Sequence, residues 1–266
     1  MLNRIRRIVK EKLLYNSYRT SAYLLAASRV NNETFTKYKD SNLGKELVLC
    51  GAGPSLKKYI PIENVKHIAL NRALLNETIK YDYFIADDWL GINFMQDFLE
   101  QYDCIKFFGH QIGDYTREIP ETFARKSRAE RYYTDSFMVR DGFESKLVSD
   151  INHMPIGNMP NIALSALQIL LFTNPKKIYL VGCDASANGH YEVKQAKEIS
   201  KKQYELEKRD LKLAVGSDRV LETWRDFKQF KEAFYPDVEI VSVNPVGLKG
   251  LFKDSYQNEK GELIYE

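Results

Sequence analysis

The chain has 266 residues, of which 44% are hydrophobic and 28% charged, which is ordinary for a globular protein and excludes a disordered one. Its formal charge of +3 is too small to indicate nucleic-acid binding, so we expect no nucleic acid among its partners. The three cysteines, Cys50, Cys104 and Cys183, are odd in number and widely spaced. They are interpreted as small core residues in a reducing compartment.

The first twenty residues form a basic segment in which apolar residues recur at helical spacing. Six basic residues stand there against Glu11 alone: Arg4, Arg6, Arg7, Lys10, Lys12 and Arg19. Such a helix fits an anionic membrane surface, or equally packing on the main domain or on a second subunit of a homo-oligomer. Because no apolar run could span a bilayer or act as a signal peptide, we expect a cytoplasmic protein. It is either free or peripheral on the inner membrane through residues 1–20.

Residues 1–45 are predicted to be a basic N-terminal helical extension, with a second helix around Tyr18–Val30 and a polar connector from Asn31. Short apolar runs then alternate with helical patterns through residues 46–266. The predicted strands are Glu46–Cys50, Val65–Leu70, Tyr83–Ala86, Cys104–Phe108, Ile178–Gly182 and Val238–Val243. The predicted helices are Leu56–Ile60, Asn161–Thr173, Glu192–Lys212 and Val220–Phe234. This alternation predicts an α/β fold with a Rossmann-like, mostly parallel sheet flanked by helices.

Ligands of open parallel sheets bind beyond the carboxyl ends of the strands, so polar residues that follow strands are the candidates for a site. The first is the turn Gly51-Ala52-Gly53-Pro54-Ser55, where the glycines allow close approach of a ligand and Pro54 starts a helix. The free amides of that helix start would suit a phosphate. The turn has neither the third glycine of the dinucleotide fingerprint nor the Gly-Lys-Ser/Thr ending of a P-loop. The alternative is a tight connection without a ligand.

Other strand ends carry amides and carboxylates. Asp87 and Asp88 could hold Mg²⁺ or supply a general base, and the alternative is that Asp88 caps a helix beginning at Trp89. Asn71 could recognise a ribose or a phosphate, or be a plain turn residue. Asn244 is a further candidate.

Asp184 opens a polar segment that extends to Tyr191 and contains His190. His190 is the most plausible proton carrier of the four histidines, and Tyr191 could donate to a leaving phosphate. The alternative is a polar turn at Asn188-Gly189. The other three histidines, His67, His110 and His153, are interpreted as surface or hydrogen-bonded structural residues.

Two motifs together resemble a known family. Gly51-Ala52-Gly53-Pro54-Ser55-Leu56 after a strand, and Lys176 to Asp184 (KKIYLVGCD) followed by Asn188-Gly189 and Tyr191, resemble the bacterial sialyltransferases of lipooligosaccharide synthesis. The same motifs resemble a domain of the flagellin-modifying motility accessory factors. The resemblance covers roughly residues 46–252.

The resemblance implies a nucleotide-binding domain with a small lid, here within about 110–157 and/or 186–219. It implies an inverting transfer from a CMP-activated nonulosonic acid to an oligosaccharide or lipid-linked glycan of lipopolysaccharide or capsule, with no obligatory metal. By position, it assigns Gly51, Gly53, Ser55, Asn71, Asn158 and Asn161 to the donor site, Asp184 to nucleotide recognition and Tyr191 to the leaving phosphate.

The chain departs from this family at two positions. Ser186 replaces a second tyrosine, and the segment Val215–Arg219 lacks the catalytic histidine, so His190, Asp218, Asp87 or Asp88 would act as the base. Two other classes stay open. One is a pterin diphosphokinase-like enzyme that uses ATP and Mg²⁺ at Asp87-Asp88. The other is a non-catalytic nucleotide-binding protein.

Overall fold

The computed structural model describes residues 21–110, 118–134, 147–157, 161–185 and 219–266. Several predicted features lie outside these residues. They are the basic segment 1–20, the helix Glu192–Lys212, residues 111–117 and 135–146 of the first proposed lid segment, and residues 186–218 of the second, including Ser186, His190, Tyr191 and Asp218. Asn158 also lies outside them. In the described part of the chain, no helix is long and apolar enough to cross a membrane.

The described residues form nine strands and five α-helices, joined in places by short 3-10 helices. The strands are β1 (Glu46–Cys50), β2 (Lys66–Leu70), β3 (Tyr83–Ala86), β4 (Ile105–His110), β5 (Glu130–Tyr133), β6 (Lys177–Val181), β7 (Glu239–Val243), β8 (Lys253–Gln257) and β9 (Leu263–Tyr265). The α-helices are α1 (21–35), α2 (Gln96–Gln101), α3 (Glu121–Lys126), α4 (Ile162–Phe172) and α5 (Arg219–Phe234).

These strands form one sheet in the order β5-β4-β3-β2-β1-β6-β7-β8-β9. Every pairing is parallel except that of β8 with β9. The prediction of a mostly parallel, Rossmann-like α/β sheet is confirmed. From β1 the chain builds outward to one side and then crosses to β6 on the other side, so the order reverses between β1 and β6.

Alternating side chains of the strands build a core on each face of the sheet. Leu47 and Leu49 of β1 face a layer made by α1, α4 and α5, whereas Val48 and Cys50 face the 3-10 helices, α2 and α3. Burial on both faces explains why β1 and β6 are apolar at almost every position. Helix α4 lies so deep that its ten residues from Ala163 to Phe172 are all buried.

Helix α1 packs into this core. Its Phe35 is fully buried, and the helix continues through the polar residues that the sequence suggested as a connector. The side chain of Asn31 accepts a hydrogen bond from the Tyr133 amide (2.8 Å) and donates one to the Met154 carbonyl (2.9 Å). Thr34 donates to the Arg131 carbonyl at 2.6 Å. Polar side chains of α1 therefore form hydrogen bonds with backbone groups on the outer edge of β5. Without them, these groups would be available to pair with other chains.

Candidate functional site

The carboxyl ends of β1 and β6 are neighbours at the point where the strand order reverses. Gly51 follows β1, and Gly182, Cys183 and Asp184 follow β6. In open parallel sheets, ligands bind at this kind of reversal, because the loops on its two sides diverge and leave a crevice. The sequence-predicted residues around Gly51 and Asp184 meet here.

The glycine turn packs directly against the end of β6. The Gly51 amide donates to the Val181 carbonyl (2.7 Å), and the Gly53 amide donates to the Gly182 carbonyl (2.8 Å). A Cβ atom on Gly53 would lie 2.5 Å from the Gly182 oxygen and 2.6 Å from Oδ2 of Asp184. Glycine is required at this position by the close approach of two chain segments.

The side chain of Asp184 accepts hydrogen bonds from Ser55, the last residue of this turn. Its Oδ2 accepts a hydrogen bond from the Ser55 amide at 2.8 Å, and its Oδ1 accepts one from the Ser55 hydroxyl. The helix there is a five-residue 3-10 helix, Pro54–Lys58, and not the predicted α-helix over Leu56–Ile60. The prediction that the amides of the turn are free for a phosphate is wrong for Gly51, Gly53 and Ser55, since each already has a partner within the chain.

Asn71 directly follows β2 and keeps one polar atom without a partner. Its side-chain oxygen is buried and accepts no hydrogen bond from any residue that the structure describes. Its backbone has a φ of 47°, a left-handed conformation that asparagine tolerates better than most residues. Ala185 adopts the same region at φ 43°, next to Asp184. Strained backbone of this kind is concentrated at binding sites.

Asn244, at the end of β7, has a different role. It is also left-handed, at φ 49°, but its side chain accepts a hydrogen bond from the Gln257 amide at 3.1 Å. Its own amide donates to the Ser255 carbonyl at 2.8 Å. Asn244 therefore joins the end of β7 to β8 through hydrogen bonds.

Asp87 and Asp88 have separate partners. Asp88 accepts a hydrogen bond from the Leu90 amide at 2.9 Å, so it caps the 3-10 helix that begins at Trp89. Asp87 is buried, with Oδ2 3.4 Å from the Ser165 hydroxyl of α4. Among the described residues, no group of three acidic, histidine or cysteine side chains could hold a metal ion. Magnesium at this pair stays a prediction.

Asn161 is the N-cap of α4, where its side chain accepts a hydrogen bond from the Ala163 amide at 3.0 Å. One turn further on, Gln168 and Ser165 donate to the Gly157 carbonyl, at 3.1 and 3.3 Å. These bonds fix the described chain just before the start of α4. The assignment of Asn161 to the donor stays a prediction.

Tyr132 of β5 is fully buried, and its hydroxyl makes no hydrogen bond within the described structure. Burial, and then the charge of Asp87, raise the pKa of this hydroxyl well above its usual value. Because a buried polar group without a partner costs about 1–3 kcal/mol, we expect Tyr132→Phe to leave the free energy of unfolding unchanged or to raise it by about 1 kcal/mol. Urea denaturation measures the change. A loss of stability would mean that this hydroxyl has a partner in solution.

Two of the remaining histidines are structural or exposed, as the sequence suggested. His67 is buried, with Nε2 2.9 Å from the Tyr59 hydroxyl, and His153 is exposed beside Asp150. His110 is also hydrogen-bonded, as the sequence suggested, and it lies at the carboxyl end of β4 within a charged cluster. Sequence reasoning missed this cluster: its members come from two strands and the segment between them.

The cysteines have the character of core residues. All three are free thiols, and Cys50 is fully buried. Burial is the main cause that raises the pKa of Cys104 to about 11 and of Cys183 to about 12. These thiols are therefore protonated and unreactive near neutral pH.

Fold and site together define a doubly wound, Rossmann-like α/β protein with polar side chains gathered at its topological switch point. No protein-family model and no curated protein matches the chain. Among solved structures it is similar to the sialyltransferase CST-II in complex with a trisaccharide acceptor and CMP. The identity is 16% and the TM-score 0.42, over 74% of this chain and 80% of that one.

Two further structures of that sialyltransferase give similar values. CstII from Campylobacter jejuni in complex with the substrate analogue CMP-3FNeuAc has 14% identity and a TM-score of 0.43, over 74% of this chain and 80% of that one. A CST-II variant in complex with CMP has 15% identity and a TM-score of 0.45, over the same shares of the two chains.

Proposed function

We propose that this chain is a glycosyltransferase that moves a nonulosonic acid from a CMP-activated donor to a hydroxyl of a bacterial surface glycan. The observation that carries the proposal is the buried side-chain oxygen of Asn71, which has no partner in the described part of the chain. It lies one strand away from the Ser55–Asp184 pair at the switch point. An acceptor atom left open at this position favours a ligand with N–H or O–H donors, such as a ribose or a cytosine amino group.

Each residue at the switch point has a separate role in this proposal. Asp184 holds Ser55 and so fixes the path of the chain after Gly53. This part of the chain is the backbone surface against which the donor binds. Asn71 recognises the nucleoside from the β2 side. Tyr191, outside the described residues, donates to the departing phosphate, since fixed donors aimed at developing charge are usually the largest contribution to catalysis.

The reaction is a direct displacement at the anomeric carbon. A base takes the proton of the acceptor hydroxyl, the acceptor oxygen forms a bond to the anomeric carbon, and the bond to the phosphate oxygen breaks. CMP leaves with the electron pair, and the configuration inverts. The acceptor is an oligosaccharide or a lipid-linked glycan, and the motifs at Gly51–Leu56 and Lys176–Asp184 support this donor class.

A thermal-shift screen with CMP, CDP, UDP, GDP and ATP, with and without Mg²⁺, tests the nucleotide. A ligand that binds only the folded state raises the melting temperature, so CMP should give the largest rise, independent of Mg²⁺. A rise confined to ATP with Mg²⁺ would support the diphosphokinase class instead. Binding of CMP without turnover of any CMP-activated sugar would support a non-catalytic protein.

Asn71→Gly removes the side-chain amide, whose oxygen has no partner among the described residues, and keeps a residue that tolerates the left-handed backbone. We expect CMP to bind about 2- to 10-fold more weakly, because one hydrogen bond of about 0.5–1.5 kcal/mol is lost. Isothermal titration calorimetry with CMP measures the change. Asn64→Gly, at another left-handed asparagine with φ 60° away from the crevice, is the matched control and should bind CMP as the wild type does. Unchanged affinity in Asn71→Gly contradicts the assignment.

A further inference from the structure

The carboxyl ends of β4 and β5 carry a cluster of charged side chains around His110. Nδ1 of His110 lies 3.0 Å from Oε1 of Glu118 and also 3.0 Å from Nη2 of Arg131. Nε of Arg131 lies 3.5 Å from Oε2 of Glu121, at the start of α3. The ring of Tyr133 packs edge-on against the imidazole, with centroids 4.7 Å apart. Nδ1 is therefore held between a carboxylate and a guanidinium.

This cluster lies on the same edge of the sheet as the crevice. The pairing of Ala86 with Phe108 places Asp88 beside His110 at the ends of β3 and β4. Three strand spacings, about 14 Å, separate the end of β4 from the end of β1. The side chains of His110 and Glu118 are 22% and 25% exposed, so the imidazole is anchored on one side and still reaches solvent.

The electrostatic surroundings keep the imidazole neutral near pH 7. Burial, followed by the charge of Arg131, lowers the pKa of His110 below its usual value of about 6.5, against the opposing effect of Glu118 and Glu121. A neutral imidazole has one ring nitrogen with a free lone pair. When Nδ1–H donates to Glu118, that lone pair is on Nε2.

Resting on the proposed function, we propose that His110 is the general base of the transfer and that Glu118 is its positioning residue. A histidine oriented by a carboxylate through one nitrogen, with the other nitrogen facing the substrate, is a recurring arrangement in enzymes that activate a hydroxyl. Nε2 takes the proton of the acceptor hydroxyl as the acceptor oxygen bonds to the anomeric carbon and CMP departs. The imidazolium then returns this proton to solvent.

The test uses His110→Gln, with CMP release from CMP-N-acetylneuraminic acid measured in the presence of lactose or with water alone as the acceptor. The exposed His153→Gln is the matched control for loss of an imidazole. We expect His110→Gln to lower the rate about 10²- to 10⁴-fold, the usual contribution of a general base, and to leave CMP affinity unchanged. In the wild type the rate should fall as the pH drops through the pKa of His110, and this acid limb should be absent from the variant.

Glu118→Gln tests the positioning role separately. We expect a smaller loss of rate and a shifted acid limb, because the oriented tautomer is no longer favoured. Nitrogen-15 NMR of the imidazole, which needs no substrate, should show the proton on Nδ1. A proton on Nε2, with Nδ1 accepting from Arg131, overturns the proposal whatever the activity.

The outcomes separate this inference from the proposed function. A wild-type protein that releases CMP, together with an equally active His110→Gln variant, overturns the role of His110 alone. A wild-type protein that neither binds CMP nor releases it overturns the proposed function, and the role of His110 falls with it.

Discussion

Donor turnover is expected to be lost, by at least 10²-fold, when Asp184 is replaced by alanine. The carboxylate accepts two hydrogen bonds from Ser55, a residue 129 positions away along the chain. Without it the amide and the hydroxyl of Ser55 lose their partner, and because Ser55 is half-buried the cost is below the about 1–3 kcal/mol of a fully buried group. The glycine turn then relaxes, and a displacement of about 1 Å at a binding site can cost 10²-fold in rate.

The measurement is CMP release from CMP-N-acetylneuraminic acid, together with the melting temperature of the purified variant. Asp150→Ala, at an exposed aspartate whose Oδ2 lies 2.9 Å from Nδ1 of His153, is the control for the change of residue type. Ser55→Ala and the double variant complete a double-mutant cycle. We expect the losses of rate to be non-additive, because Ser55 and Asp184 take part in one interaction. A folded Asp184→Ala variant with the wild-type rate would refute this role.

The largest loss of stability is expected from Asn31→Ala. Asn31 is fully buried, and its side chain bonds both the amide of Tyr133 and the carbonyl of Met154. Alanine leaves both backbone groups buried without their partner, which costs about 2–5 kcal/mol in total. For a chain of this length each kcal/mol lowers the melting temperature by about 2–4 °C.

Its matched control is the neighbouring residue on the same helix. Asn32 is exposed and bonds the side chains of Thr36 and His153, so Asn32→Ala should change stability by less than about 0.5 kcal/mol. Differential scanning calorimetry of both variants decides the matter. Equal melting temperatures would show that α1 does not stabilise the edge of the sheet through Asn31.

The central strands were predictable from the sequence because they are buried on both faces. β1 and β3 have the predicted bounds, and β2, β4, β6 and β7 differ by one or two residues. β5, β8 and β9 were missed, because ERYY, KDSYQ and LIY lie toward the edges of the sheet and alternate polar with apolar residues or are very short. Partial burial gives a weaker pattern, and neighbours then decide the structure.

The gathering of the candidate residues at one edge of the sheet was predictable from the sequence, but their contacts were not. The polar residues after β1, β2, β3 and β6 were found, since parallel strands bring their carboxyl ends together. The bond of Ser55 to Asp184 was not found, because a chain pattern does not show which amide meets which carboxylate. The charged cluster at His110 was missed for the same reason, because Glu118 and Arg131 join His110 only after β4 and β5 have paired.

The position of β1 in the sheet has a consequence during synthesis. Its neighbours are β2, which follows after 15 residues of connection, and β6, which is translated more than 120 residues later. Until β6 emerges from the ribosome, β1 is an unpaired edge strand of the nascent β1–β5 sheet, although it is an apolar strand that is buried in the complete fold. The newborn chain is then most exposed to mispairing with other chains, and chaperones that shield apolar strands should act in this interval.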